Sequence, residues 1–362
     1  MLKAAIIIAA LFICINFIYW INRTTMINFI QFTITRAVMA VITLLIVSLI
    51  VFTLMELVPG TCAERYLAFK NTQGSGISVE DIEAEKRRLG LDRPFPVRFG
   101  TWMKNIVVNR DFGDSCILRV SINDLLKERF YISLAICLTA LIFSYLIAIP
   151  VGIISATTRY RSLDTVLKFI SYLGIALPNF LVALCIMLFM TIYYGDTMTG
   201  LFSEKFQNAP WSAARVKDFI SRAWLPIFVL GWNATAFALQ TVRALILDEH
   251  GKLYVMAAKA RGISGMSLLW RYPAKHSLGP VINSLGFDLN RIFSALPVVA
   301  LILVLTEAGA LLIESLARSN DQQLAGAIIF LLTATIVFVN FVTDIMLAIM
   351  DPRIRKGVMG GD

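Results

Sequence analysis

Charge is what this chain has least of. Asp, Glu, Lys and Arg supply 16% of its 362 residues, where a soluble domain carries about a quarter. Histidine occurs twice, at His250 and His276, too few and too far apart for a metal site built on imidazole. The 5 cysteines form no Cys-x-x-Cys pair. Cys14, Cys137 and Cys185 lie inside apolar runs and read as small core residues, whereas Cys62 and Cys116 share one polar segment, where pairing is open to them. No Gly-x4-Gly-Lys-[Ser/Thr] stretch is present, so the chain has no phosphate-binding loop of that type. Nor do the apolar runs carry the converging His, Asp and Glu clusters of a membrane-embedded enzyme, or the internal repeats of many secondary transporters.

Apolar residues make up 58% of the chain, the mean hydropathy is +0.74, and the polar residues are segregated between long charge-free runs. A run of about 20 apolar residues crosses the hydrocarbon core as a helix, so the sequence describes an all-α polytopic membrane protein. Ala4–Ile21 is a first apolar run without a small-residue cleavage pattern. Residues 1–25 read as a hydrophobic extension, with Met26 as an alternative start. Six spans follow: Ala37–Met55, Tyr131–Thr158, Phe169–Gly195 bent at Gly174 and Pro178, Ala223–Val242, a run from Pro280 to Thr306, and Leu324–Met350 with Asp344 in its inner third. Residues 58–130 form a mixed-charge insertion, with a short helix over 82–89 ahead of Gly90; 196–222 and the polar hairpin Glu307–Gln323 lie on the same outer side. The connector Arg159–Asp164, the stretch from Arg243 to Lys275 and the tail Asp351–Lys356 are net positive, which assigns them to the cytoplasm. The net charge of +9 thus follows from membrane topology and does not call for nucleic acid.

The polar stretch from Tyr254 to Pro280 interrupts the apolar pattern. Ala and Lys favour helix up to Ala260, Gly262 is placed to end it, and Ser264 offers an N-cap to a second helix over Met266–Arg271. Helix, turn, helix is therefore expected between two spans. An amphipathic hairpin lying on the membrane surface is the alternative reading.

Several motifs stand in a fixed order along the chain: Leu57-Val58-Pro59-Gly60, Leu89-Gly90-Leu91-Asp92-Arg93-Pro94, Asp111-Phe112-Gly113-Asp114-Ser115, Ile149-Pro150-Val151-Gly152-Ile153, the hairpin, and Asn340-x3-Asp344-x6-Asp351-Pro352-Arg353-Ile354-Arg355. Together, over roughly Phe29 to Lys356, they resemble the permease subunits of ATP-binding-cassette importers of the oligopeptide, dipeptide and nickel class, B-type. The resemblance implies a six-helix type I importer domain over 26–357, in the bacterial cytoplasmic membrane. Within it 58–130 would be a periplasmic insertion and 243–280 the cytoplasmic coupling loop. It further implies a second permease, two cytoplasmic ATP-binding subunits, an extracytoplasmic solute-binding protein and membrane lipid as partners, with no cofactor and no catalysis in this chain. Tyr254, Ala257, Ala258, Lys259, Ala260, Arg261, Gly262 and Pro280 would contact the ATPase. Met256 takes the place of a family Glu, Ala300 stands where the family carries another Glu in the fifth span, Thr306–Gly309 replaces a Pro-Gly-x-Gly turn, and Thr61-Cys62 follows Pro59-Gly60 in place of Asp-Pro. These departures bear on the substrate, which could be a peptide, a nickel complex, an opine, an oligosaccharide or a peptide antibiotic.

Asp288 and Arg291 stand one helical turn apart inside the fifth span. Charges there are costly and face either each other or water. They are candidates for the translocation path, with a neutralised pair between helices as the equal alternative.

Overall fold

A backbone in hydrocarbon must satisfy its own hydrogen bonds, so long apolar runs fold as helices. The computed structural model of the chain describes residues 23–57, 60–72, 79–88, 90–158, 160–195, 199–207, 209–305, 307–318 and 321–350. The first apolar run, the Val58-Pro59 break, Thr306 and the basic tail lie outside these residues, as does the side chain of Cys62. Helices account for nearly all of what is described: α1 (Arg23–Leu57), α2 (Cys62–Thr72), α3 (Val79–Arg88), α4 (Phe95–Lys104), α5 (Ile122–Thr157), α6 (Arg161–Ala176), α7 (Asn179–Tyr194), α8 (Ala213–His250), α9 (Leu253–Ala260), α10 (Gly265–Arg271), α11 (Pro273–Ile302), α12 (Ala308–Ile313) and α13 (Gln322–Met350). One isolated antiparallel bridge, Asp114 with Ser121, is the sole β pairing among the described residues.

Five of these helices, α1, α5, α8, α11 and α13, are long and apolar enough to cross a membrane. The remaining expected span, Phe169–Gly195, is broken at Pro178, one of the two expected bend positions, while Gly174 lies within α6. It is a corner, with α6 and α7 meeting at 101°. Pro178 drives the preceding Leu177 out of the helical region, to φ −86 and ψ 118, as a proline does to its neighbour. The polar side of α6 is then bound down. Asp164 accepts two hydrogen bonds from Arg243 of α8, at 2.9 and 3.0 Å, and one from Ser155 of α5 at 2.6 Å. Ser171 Oγ donates to the Ala236 carbonyl at 3.0 Å.

The core is formed by α5, α8, α11 and the first half of α13, with Ile136, Leu225, Leu230, Leu289, Leu296 and Ile328 fully buried. α5 and α8 share the most extensive contact. They approach closely because Gly152 has no side chain: a Cβ there would lie 2.9 Å from Val242 Cβ and 3.0 Å from the Leu239 carbonyl. α1 stands outside this core. It packs on α13, where Arg36 pairs with Asp344 at 3.3 Å, and leaves most of its apolar surface open, as a lipid-facing helix does. Phe52 of α1 contacts Phe95, Phe99 and Trp102 of α4 at centroid distances of 5.4 to 5.5 Å, and Trp102 meets Phe330 of α13 at 5.7 Å. This aromatic cluster docks the 60–121 segment on the ends of α1 and α13. Cys116 is disulfide-bonded, whereas Cys137 and Cys185 are free.

Several expected boundaries shift. α5 begins at Ile122, nine positions ahead of Tyr131, because Asp124, Lys127, Glu128 and Arg129 continue the helix beyond its apolar run. α8 likewise continues past Val242 to His250. The region after Thr306 is not a polar hairpin: Ala308, Gly309, Leu311 and Leu312 of α12 are buried, and Glu307 is 0% exposed.

Candidate functional site

The helical hairpin is built as expected. α8 ends at His250, and the ammonium of Lys252 reaches back to Glu249 at 2.5 Å and Asp248 at 3.2 Å. These two carboxylates, Glu249 foremost, hold its pKa above the ordinary lysine range. α9 closes with Gly262 at φ +83. The Ile263 N–H donates to the Ala258 carbonyl at 3.1 Å and the Gly262 N–H to the Lys259 carbonyl at 2.9 Å, the paired bonds of a Schellman stop. Ser264 sits at the N-cap of α10, but its hydroxyl makes no capping bond.

Between the two short helices lies a small separate core of Val255, Ala258 and Leu268, packed by Tyr254, Ile263 and Tyr272. The Tyr254 ring lies 5.1 Å from His276 of α11. The opposite face is open. Ala257, Lys259, Ala260, Arg261 and Gly262 are exposed, and so are the apolar side chains of Leu253 (80%), Met256, Met266 and Trp270. The expected contact residues therefore divide into two groups. Ala258 and the half-buried Tyr254 hold the hairpin together, while the other five present a surface. Pro280 belongs to neither group. It lies inside α11, which starts at Pro273, where a missing N–H leaves no hydrogen bond unmade.

The structure brings Asp288 and Arg291 together, yet in opposite surroundings. Asp288 is 2% exposed. Its carboxylate accepts from Tyr145 Oη of α5 at 2.6 Å and from Arg291 Nη1 at 2.8 Å, and the tyrosine hydroxyl also meets Ser284 Oγ at 2.7 Å. The Arg291 side chain is 42% exposed, with its guanidinium 3.6 Å from the Phe237 ring centroid. It opens into a cleft of about 460 Å³ lined by Asn179, Phe180, Asn233, Asn290 and Ser294 with apolar residues of α11. Tyr145 and the three asparagines were not singled out in the sequence. The signal for them was a polar residue in an otherwise apolar run, too common to act on without knowing which helices meet.

Glu307 was read as an outer surface residue and is instead a buried cap. Its carboxylate accepts from the Gly309 N–H at 2.7 Å and the Ala310 N–H at 3.1 Å, opening α12. It also accepts from Ser133 Oγ of α5. A charge directly after a span reads as solvated, but here two helix-end amides and a hydroxyl solvate it in place of water.

Comparison with known proteins gives a consistent picture. Residues 148–356 match the family described as the binding-protein-dependent transport system inner membrane component, and residues 29–121 match its N-terminal region. The oligopeptide transport system permease protein AppB of Bacillus subtilis (strain 168) is 28% identical over 325 residues, covering 90% of this chain and 99% of its own. A putative peptide transport system permease protein of Brucella abortus (strain 2308) is 25% identical, covering 88% and 97%. The putrescine export system permease protein SapB of Escherichia coli (strain K12) is 26% identical, covering 70% and 83%. Among solved structures, inward-facing MetNI methionine ABC transporter aligns at 17% identity with a TM-score of 0.49, covering 65% of this chain and 96% of that one.

Proposed function

The chain belongs to the family of binding-protein-dependent transport system inner membrane components, the multi-pass permease subunits of ABC importers, and from that membership we propose that it forms half of a translocation path for peptides. A second permease packs beside it. Of two cytoplasmic ATP-binding subunits, one docks on the α9–α10 hairpin, and an extracytoplasmic binding protein delivers the solute to the opposite side, where the 60–121 segment lies. The peptide assignment rests on the names of the relatives from Bacillus subtilis and Brucella abortus, which the chain covers almost end to end.

One observation carries the ATPase contact. The hairpin owns a core, is fixed to α8 by Lys252 and to α11 by Tyr254, and turns Leu253, Met256, Met266 and Trp270 outward. A rigid piece with an unpaired apolar face, joined at both ends to spanning helices, transmits a push from a docked subunit into the bundle. Closure of the ATPases on ATP thus moves α8 and α11 together, and the path opens outward to receive its cargo.

Export of a diamine, after the relative from Escherichia coli, is the second reading. The cleft argues against it, since its charged side chain is Arg291 and the nearby carboxylate of Asp288 is already covered. The test is reconstitution of the permease pair with its ATPases and binding protein in vesicles. ATP-dependent accumulation of a labelled tripeptide is expected. Export of putrescine without peptide uptake would overturn the assignment.

A further inference from the structure

We propose that the cleft beside Arg291 is the subsite that receives the terminal carboxylate of a peptide as it crosses; this rests on the peptide reading above. Arg291 is held from two sides. Asp288 takes one Nη1 hydrogen and the Phe237 ring supports the guanidinium plane. Its orientation is thereby set before any ligand arrives, and among the described residues its remaining donors, Nε and Nη2, have no partner. A planar cation with spare parallel donors is matched to a carboxylate.

The surroundings favour the same ligand. Asn179, Asn233, Asn290 and Ser294 line the cleft, and among the described residues no acidic side chain does. Asn179 is the first residue of α7, so the amide end of this broken helix borders the cleft and adds positive potential. Asp288 does not line the cleft, so its carboxylate orients Arg291 without touching an entering anion, although it lowers the positive potential there.

The test uses the complete transporter in vesicles and compares uptake of trialanine with that of trialanine amide. The informative pair is Asp288→Asn against Asp288→Asn/Arg291→Gln, because removing the cation in the asparagine background strands no buried carboxylate. The binding protein is common to both, so a change in the acid-to-amide ratio belongs to the permease. Loss of one charge-assisted contact should lower that ratio about tenfold or more, and Asp288→Asn/Arg291→Lys, which keeps the charge, should retain part of the preference. Equal slowing of both peptides would overturn the subsite and leave Arg291 a helix-positioning residue. A double variant that neither transports nor shows peptide-stimulated ATPase would count against it in the same way. Failure of the unaltered complex to move either peptide, with another solute transported, would instead remove the peptide reading itself.

Discussion

Replacing Arg291 by Gln should destabilise the protein more than replacing Asp288 by Asn, although both changes remove the same 2.8 Å ion pair. The asymmetry comes from exposure. The Asp288 side chain is 3% exposed and that of Arg291 42%. Without Arg291 the carboxylate keeps only Tyr145, and an uncompensated buried charge costs about 3–5 kcal/mol. Without Asp288 the guanidinium keeps the Phe237 face and the water of the cleft. The new amide accepts from Arg291 through its one oxygen and donates its NH2 to Tyr145 Oη, whose own hydrogen turns to Ser284 Oγ, so the loss is the difference between charged and neutral hydrogen bonds, about 1 kcal/mol. Asp288→Asn/Arg291→Gln, with no stranded charge, should fall close to Asp288→Asn. The assay is the apparent melting temperature of the assembled complex in detergent, at one concentration and salt. The reasoning fails if Asp288→Asn melts at or below Arg291→Gln, or if the double variant melts with the Arg291 single variant.

Other perturbations test the packing. Gly152→Ala places a methyl 2.9 Å from Val242 Cβ and Cγ1 and should cost about 1–3 kcal/mol; Val242→Ala in the same chain should return part of the lost melting temperature. Glu307→Ala strips the cap from α12 and leaves the Gly309 and Ala310 amides unpaired, for about 2–3 kcal/mol. Glu307→Gln keeps an acceptor and should lose less, and equal melting of the two variants would refute the capping role. Asp164→Ala should release α6 from α8, read as faster hydrogen exchange over 161–176 with the rest of the bundle unchanged.

The spans were legible because hydrocarbon length and charge segregation are properties of composition. The hairpin was legible because Ala and Lys up to Ala260, followed by Gly262, specify a helix and its stop locally. What escaped depends on contacts between distant residues. Gly174 and Pro178 announce a bend, but 101° is set by Asp164 and Ser171 finding Arg243 and the Ala236 carbonyl. Pro280 reads as a loop boundary and is carried within α11, since Pro273 had already supplied the helix start. Ala258 matched the motif for an ATPase contact, yet its side chain fills the hairpin's own core. A bulky residue there would unfold the hairpin before it blocked docking. The pairing of Asp288 with Arg291 follows from a spacing of one turn; which of them faces the cleft depends on Tyr145, 143 residues away.

The claim that the hairpin drives the spans is tested most directly at Gly262, which sits at φ +83 with open space around it. Alanine fits that space and costs only about 1–2 kcal/mol for the left-handed backbone. Proline cannot adopt the angle, its φ being fixed near about −65°, and it also removes the N–H bonded to Lys259. In vesicles holding the complete transporter, solute moved per ATP hydrolysed should stay near the unaltered value in Gly262→Ala. In Gly262→Pro it should collapse while hydrolysis persists. An undiminished ratio in Gly262→Pro would contradict the account.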